Sequence, residues 1–263
     1  MNQQFFMFKE YLNYRLKAVG RHAVHSPFVY EFIEKVIRDK HVHAEYEQIR
    51  ELRRALLQNE TKLPVIDLGA GSHSNNNAYR SVRNIAAHAG RNPYWGQFLF
   101  RLIRFCQPQR ILELGTSLGI GTSYMALAAP KAKIISIEGS PAIAEFAAQN
   151  FKTLNLSNIE QVVGNFDEVL NNILQKNAPF DFIFIDGNHR EEPTLNYFQQ
   201  SLNAVSNHAC LLFDDIHWSS GMARAWNKIK SATEVTLSLD LFFFGLAFLH
   251  DDFKEKQHFN LNY

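Results

Sequence analysis

A chain of 263 residues, 46% hydrophobic and 13% aromatic, is long enough to bury a sizeable core and too apolar to be disordered throughout. Its formal net charge of +1 gives no overall electrostatic signature for nucleic acid or an anionic membrane. Two cysteines, Cys106 and Cys210, each inside an apolar run, exclude a disulfide framework and read as reduced thiols of a cytoplasmic protein.

The first residues, MNQQFFMFKEYLNYRLK, lack the basic-then-apolar order and the small-residue cleavage site of a secretory signal. The longest apolar run, LFFFGLAFL at 241–249, is half of the roughly 20 residues that span a bilayer. Phe5, Phe8, Leu12 and Leu16 recur at three- and four-residue spacing, which predicts a helix. A second helix follows in SPFVYEFIEKVIRD, with Ser26 placed to cap it and Pro27 at its first position. EYEQIRELRRALL predicts a third, ending near Gln58, whose arginines alternate with Glu51 as on a solvated face. His22 and His25 have ligand-like spacing but no further ligand nearby in the sequence.

PVIDLGAGSHSNN, at 64–77, has the look of a strand entering a cofactor loop. After residue 91 the texture becomes regular alternation. Strand-like runs occur at 111–114, 134–138, 159–163, 181–185 and 209–213, separated by helical patterns at 121–129, 141–153, 166–176, 191–204 and 218–230. Such alternation predicts right-handed βαβ units and a parallel sheet. SATEVTLSLD and LFFFGLAFLH, joined by a tight connection, predict an antiparallel final hairpin.

ILELGTSLGIGTS, at 111–123, is a second strand entering a glycine loop. A nucleoside ligand needs an acid at the end of the next strand, about 20 positions on, to hold the ribose hydroxyls. Glu138 lies 25 positions after Glu113, whereas the window after Asp67, RNIAAHAG, holds neither strand nor acid. The 111–123 loop is therefore the cofactor loop. Its order, Glu113, Gly115, Gly119, Gly121, is wider than the dinucleotide fingerprint, and a carboxylate there suits a cationic ligand better than a pyrophosphate.

These features resemble the class I S-adenosylmethionine-dependent methyltransferases. ELGTSLGIGTS, SIEGSP, VVGNFDEVL, FDFIFIDGNH and LLFDDIHW stand in the family's order over roughly 93–250, most like the small-molecule O-methyltransferases of the catechol and caffeoyl-CoA type. The resemblance implies a Rossmann-like, seven-stranded, mostly parallel sheet with helices on both faces, and an N-terminal helical extension. It divides the chain into a helical segment with a substrate loop at 1–90 and an S-adenosyl-L-methionine-binding domain at 91–263. In it Glu113, Gly115, Thr116, Ser117, Gly119 and Gly121 surround the methionine part and ribose, and Glu138 holds the ribose hydroxyls. Asn165 and Phe166 contact adenine, and Asp186 lies beneath the reacting centre.

Two routes to acceptor deprotonation stay open at this point. Asp186, Asp214 and Asp215 occupy the positions that hold Mg²⁺ or another divalent cation in metal-dependent relatives, Asp215 standing where those have Asn. His189 stands where they have a lysine, three residues after the first aspartate, and suits a general base. His217 and Trp218 are candidates for the acceptor pocket and Trp226 for the core; the loop at 64–80 is read as a lid or substrate loop. The expected partner is a small-molecule acceptor, with no nucleic acid and no membrane, and a homodimer is left open. O-methylation is the main reading. N-methylation, cofactor binding without chemistry, and nicotinamide-dependent oxidoreduction are its rivals.

Overall fold

The structure, a computed structural model, describes residues 3–65, 79–88 and 93–262. The expected loop at 64–80 falls largely outside these residues. Contacts divide the chain into two compact units, Met1–Glu34 with Leu170–Tyr263, and Lys35–Val169.

In chain order the elements begin with α1 (Gln3–Lys17) and α2 (Pro27–Phe32), which runs on into a π-helical turn at Ile33–Ile37. Ser26 caps α2 as expected: its hydroxyl accepts from the Val29 amide, and Pro27 takes the first helical position. Then come α3 (Glu45–Leu56), β1 (Lys62–Pro64), β2 (Tyr79–Ser81), α4 (Val82–His88) and α5 (Pro93–Cys106). Regular alternation follows in β3 (Arg110–Leu114), α6 (Ile120–Ala128), β4 (Lys133–Glu138), α7 (Pro141–Thr153), β5 (Ile159–Val163) and α8 (Phe166–Asn177). It continues through β6 (Phe180–Ile185), α9 (Glu191–Leu202), β7 (Val205–Asp214) and α10 (Ser220–Ser231). The chain ends in β8 (Leu237–Asp240), β9 (Phe244–His250) and β10 (Gln257–Asn260).

In the Lys35–Val169 unit, β3, β4 and β5 pair side by side and parallel, with Glu113 opposite Ser136 and Glu138 opposite Val163. Past their exposed first residues, β3 and β4 are buried up to Glu138, as continuous apolar runs of parallel strands require. Alongside them lies a core of Tyr46, Ile49, Leu52, Phe100, Leu118, Ile120, Tyr124 and neighbours. Tyr46 packs edge-on to Phe100 at 5.1 Å, so α3 and α5 meet through large rings whose burial contributes about 1.5–3 kcal/mol each.

In the other unit the strand order is β10-β8-β9-β7-β6. β6 and β7 are parallel, Ile185 pairing with Phe213, whereas β7–β9 and β8–β9 are antiparallel. The final hairpin is thus present, closed by residues 241–243. Beyond the seven expected strands, β10 lies parallel to β8, Phe259 opposite Leu239. Trp226 is 1% exposed and packs on Phe213 at 6.1 Å, a core residue as expected, while Trp218 is 38% exposed. Cys210 is buried and Cys106 half-buried, and neither forms a disulfide.

Candidate functional site

The Lys35–Val169 unit gathers the glycine loop. β3 ends at Leu114, and the amides of Gly115 and Thr116 donate to Ile137 O of β4 at 3.0 and 3.2 Å. The chain then reverses through Ser117 (φ 49°) and Gly119 (φ 78°) into α6. A left-handed serine costs about 1–2 kcal/mol, and a hydrogen bond offsets that here. The Ser117 amide donates to Glu138 Oε2 at 2.8 Å, and the Ser140 amide donates to Oε1 at 2.9 Å. Glu138 therefore ties the loop to the start of α7. Burial pushes its carboxyl up, against the amides of Ser140, Ser117 and Gly139. The chain beyond β5 joins the same end: the Gly164 amide donates to Glu138 O at 3.0 Å, and Asn165 caps α8 by accepting from the Asp167 amide at 3.2 Å. Phe166 is the first residue of that helix.

Glu113 sits differently from the sequence expectation of a carboxylate facing a cofactor. It is 1% exposed, lying beneath the loop. Thr122 Oγ1 and Ser136 Oγ both donate to its Oε2 at 2.5 Å. Thr116 Oγ1 and Ser136 Oγ are also 2.5 Å apart. Since the Ser136 proton is committed to Glu113, Thr116 donates to Ser136. This chain of hydroxyls positions the loop. A polar residue in the apolar strand IISIE, opposite the one acid of β3, was the signal for it.

Burial raises the Glu113 carboxyl to about 7, the hydroxyls of Ser136 and Thr122 opposing the shift. An exposed glutamate ionises near 4.5. Between these pH values the native state keeps a proton that the unfolded chain has lost, so stability falls as pH rises and the loss is complete above about 7. Glu113→Gln preserves shape without the charge. Urea unfolding should show the variant gaining on the parent by roughly 3 kcal/mol across that window. A pH-independent difference would mean that Glu113 ionises as an exposed acid does.

The other unit holds the strand-end acids. With Ile185 opposite Phe213, Asp186 and Asp214 leave neighbouring parallel strands at the same level. The turn after β6 carries two consecutive left-handed residues, Asn188 (φ 66°) and His189 (φ 38°). Asn188 is 8% exposed; its amide donates to Tyr197 Oη at 3.0 Å and its oxygen accepts from Arg190 at 2.6 Å. His189 Nε2 is thereby placed 3.8 Å from Asp186 Oδ1, the two side chains 27% and 30% exposed. That gap is too long for a hydrogen bond, and a small rotation or one water closes it.

After β7, Asp214 is 9% exposed and accepts from the Asp215 amide at 2.8 Å, while Asp215 is left-handed at φ 56°. Among the described residues no three His, Cys, Asp or Glu side chains converge into a set that could hold a metal ion.

His217 is engaged by two acids and an aromatic ring. Its Nε2 lies 2.8 Å from Asp240 Oδ2 and its Nδ1 3.6 Å from Glu10, and its ring stacks on Phe242 at 5.3 Å. Asp240, 2% exposed, also accepts from Trp226 Nε1 at 3.0 Å and the Phe242 amide at 2.9 Å. Burial raises the Asp240 carboxyl, but the bonds from His217, the Phe242 amide and Trp226 outweigh it and hold the group below its usual range. The arrangement fastens α1 and α10 to β8. A lone acid closing the apolar run LSLD was its sequence signal.

Parallel strands ending in a glycine loop, an acid and a capped helix define a nucleoside-binding α/β fold. Residues 112–216 match the family described as "Methyltransferase domain". Over 147 residues, 53% of this chain and 66% of the relative, the sequence is 33% identical to a catechol O-methyltransferase of Niastella koreensis. It is 30% identical to one of Mycobacterium tuberculosis over 48% of this chain and 57% of the relative. The chain thus spans less than two thirds of the length of either. An O-methyltransferase of Bacillus cereus, solved with S-adenosylhomocysteine, superposes with a TM-score of 0.58 at 21% identity, over 84% of this chain and 96% of that one. Residues 112–216 thus resemble a methyltransferase domain, and the chain shares its α/β fold with the solved O-methyltransferase.

Proposed function

We propose that the protein transfers the methyl group of S-adenosyl-L-methionine to a hydroxyl oxygen of a small molecule. The observation that carries this reading is the Glu138 carboxylate at the end of β4, joined to the glycine loop through the Ser117 amide. Its two oxygens have lone pairs beyond those taken by Ser117 and Ser140, which suits two ribose hydroxyls. Gly115, Thr116, Ser117, Gly119 and Gly121 hold the methionine part, Glu113 supports them from below, and Asn165 and Phe166 serve the adenine. The bound cofactor supplies a methyl group on a sulfonium, already an excellent leaving group.

What remains for the protein is to align the acceptor, worth up to about 7–11 kcal/mol, and to take its proton. We assign the proton to His189 Nε2, with Asp186 orienting the imidazole and offsetting its charge. Residues 1–90, with the loop at 64–80, shape the acceptor side. A near-neutral chain suits a small acceptor better than RNA.

The test pairs turnover with titration. Labelled S-adenosylmethionine and a panel of catechols and related phenols should yield S-adenosylhomocysteine and methyl ethers. Glu138→Ala should weaken S-adenosylhomocysteine binding by about 1–3 kcal/mol, the cost of unpaired buried polar groups. Tight NADH binding without any response to S-adenosylhomocysteine would overturn the reading.

A further inference from the structure

α1 is fastened to its own unit by one side. Tyr14 is 4% exposed and donates to Leu261 O; Tyr11 and Tyr14 pack against Phe242 at 5.1 and 5.5 Å. Glu10 turns inward to His217, and Arg15 holds Asn262. The opposite side is apolar as well. Phe5 and Phe8 are each 60% exposed, Leu12 47% and Leu16 85%, with Tyr11 at the margin at 42%. Spaced 3, 4 and 4 residues apart, the four form one continuous stripe along a helix about 22 Å long.

A helix that is apolar on both sides is built to lie between two layers. We propose that α1 is the two-fold contact of a homodimer, its outer stripe packing antiparallel on the same stripe of a second copy. The stripe is self-complementary. In a register centred close to residue 10, Phe5 of each copy meets Leu16 of the other and Phe8 meets Leu12, each to within about 1.5 Å along the axis. A symmetric contact needs a patch that fits itself in this way.

The area suffices. At about 200 Å² per side chain, the exposed fractions leave roughly 600 Å² of apolar surface on each copy, about 1,200 Å² for the pair, the lower bound of a stable interface. Lys9 lies at one edge of the stripe and Arg15, bonded to Asn262, at the other, where their stems cover its rim. A lipid surface is the weaker occupant, because a helix lying in a bilayer interface carries a charged face opposite its apolar one. In α1 that opposite face is packed on protein.

The test is the oligomeric state of the full chain, followed by sedimentation velocity at 1–100 µM. A chain mass of 30.3 kDa makes monomer and dimer easy to separate. The parent should sediment as a dimer, and Phe8→Glu/Leu12→Glu as a monomer with unchanged circular dichroism. The register is tested in a Cys106→Ser background. A mixture of Phe5→Cys and Leu16→Cys copies should cross-link under mild oxidation, and Phe5→Cys alone should not. A monomeric parent at every concentration would overturn the proposal. So would a dimer that survives the double substitution, or a monomer that instead sediments with anionic vesicles through the stripe.

Discussion

Gly119→Val is expected to abolish binding of S-adenosylhomocysteine and to lower the melting temperature. At φ 78° this residue caps α6 from the left-handed region, which a β-branched side chain does not adopt. Space is also lacking. A Cβ at Gly119 would lie 2.4 and 2.7 Å from ring atoms of Phe151, itself 6% exposed on α7. Backbone strain of about 1–2 kcal/mol and overpacking of about 1–3 kcal/mol act together. The loop must then shift, and with it the Gly119 carbonyl that accepts from the Ser123 amide at 2.9 Å and hydroxyl at 2.6 Å. Gly121 makes the contrast. A Cβ there meets Glu113 Oε1 at 3.5 Å and Leu99 at 3.8 Å, ordinary contacts, so Gly121→Ala should hold stability within about 1 kcal/mol. Calorimetric titration and thermal melts check both. Undiminished binding by Gly119→Val would remove this loop from the cofactor site.

The fold was legible where period and chemistry agreed. From β3 to α10 the expected and observed limits differ by two residues or fewer, except at β7, because apolar β-branched runs alternate with amphipathic helices. β7 starts earlier than its apolar part, at Val205, which pairs with Phe180 before a register shift brings Cys210 opposite Phe182, and His208 pairs instead with His250 of β9. β10 was missed because QHFN is short, polar but for Phe259, and preceded by charges. The N-terminal stripe was read correctly as helical. Period alone does not say which side of a helix is covered, and here Tyr14, off the stripe, is the buried residue.

The site was legible at the level of single residues and not of their partners. The distance from Glu113 to Glu138 follows from the length of one βα unit, so it could be read off the chain. The hydroxyl chain under the loop could not, because it depends on the register that sets Glu113 against Ser136. The strand-end acids show the same limit. The resemblance marked Asp186, Asp214 and Asp215 as candidate metal ligands, and the chain alone did not reveal the left-handed backbone at Asp215 or the near-burial of Asp214. The contacts of His217 with Glu10 and Asp240, residues more than 20 positions away on either side, were equally beyond reach of the sequence.

His189→Ala should lower kcat by ~10²–10⁴-fold, the range for losing a general base, with S-adenosylhomocysteine affinity unchanged. The imidazole is held by its own turn. Two left-handed residues and the clamp of Tyr197 and Arg190 on Asn188 present Nε2 toward Asp186, 3.8 Å away. Left-handed non-glycine backbone is costly and persists where the surrounding structure enforces it, as at sites built for chemistry. Asp186→Asn should reduce turnover in the same direction by a smaller factor, since the base survives without its orienting charge. With the proton assigned to the imidazole, EDTA should change little. An acceptor acidic enough to be ionised at the assay pH needs no base, so the His189→Ala deficit should shrink with it while the Glu138→Ala binding deficit stays. Full activity of His189→Ala, together with loss of turnover in EDTA and its recovery with Mg²⁺, would transfer the deprotonating role from the imidazole to a divalent ion.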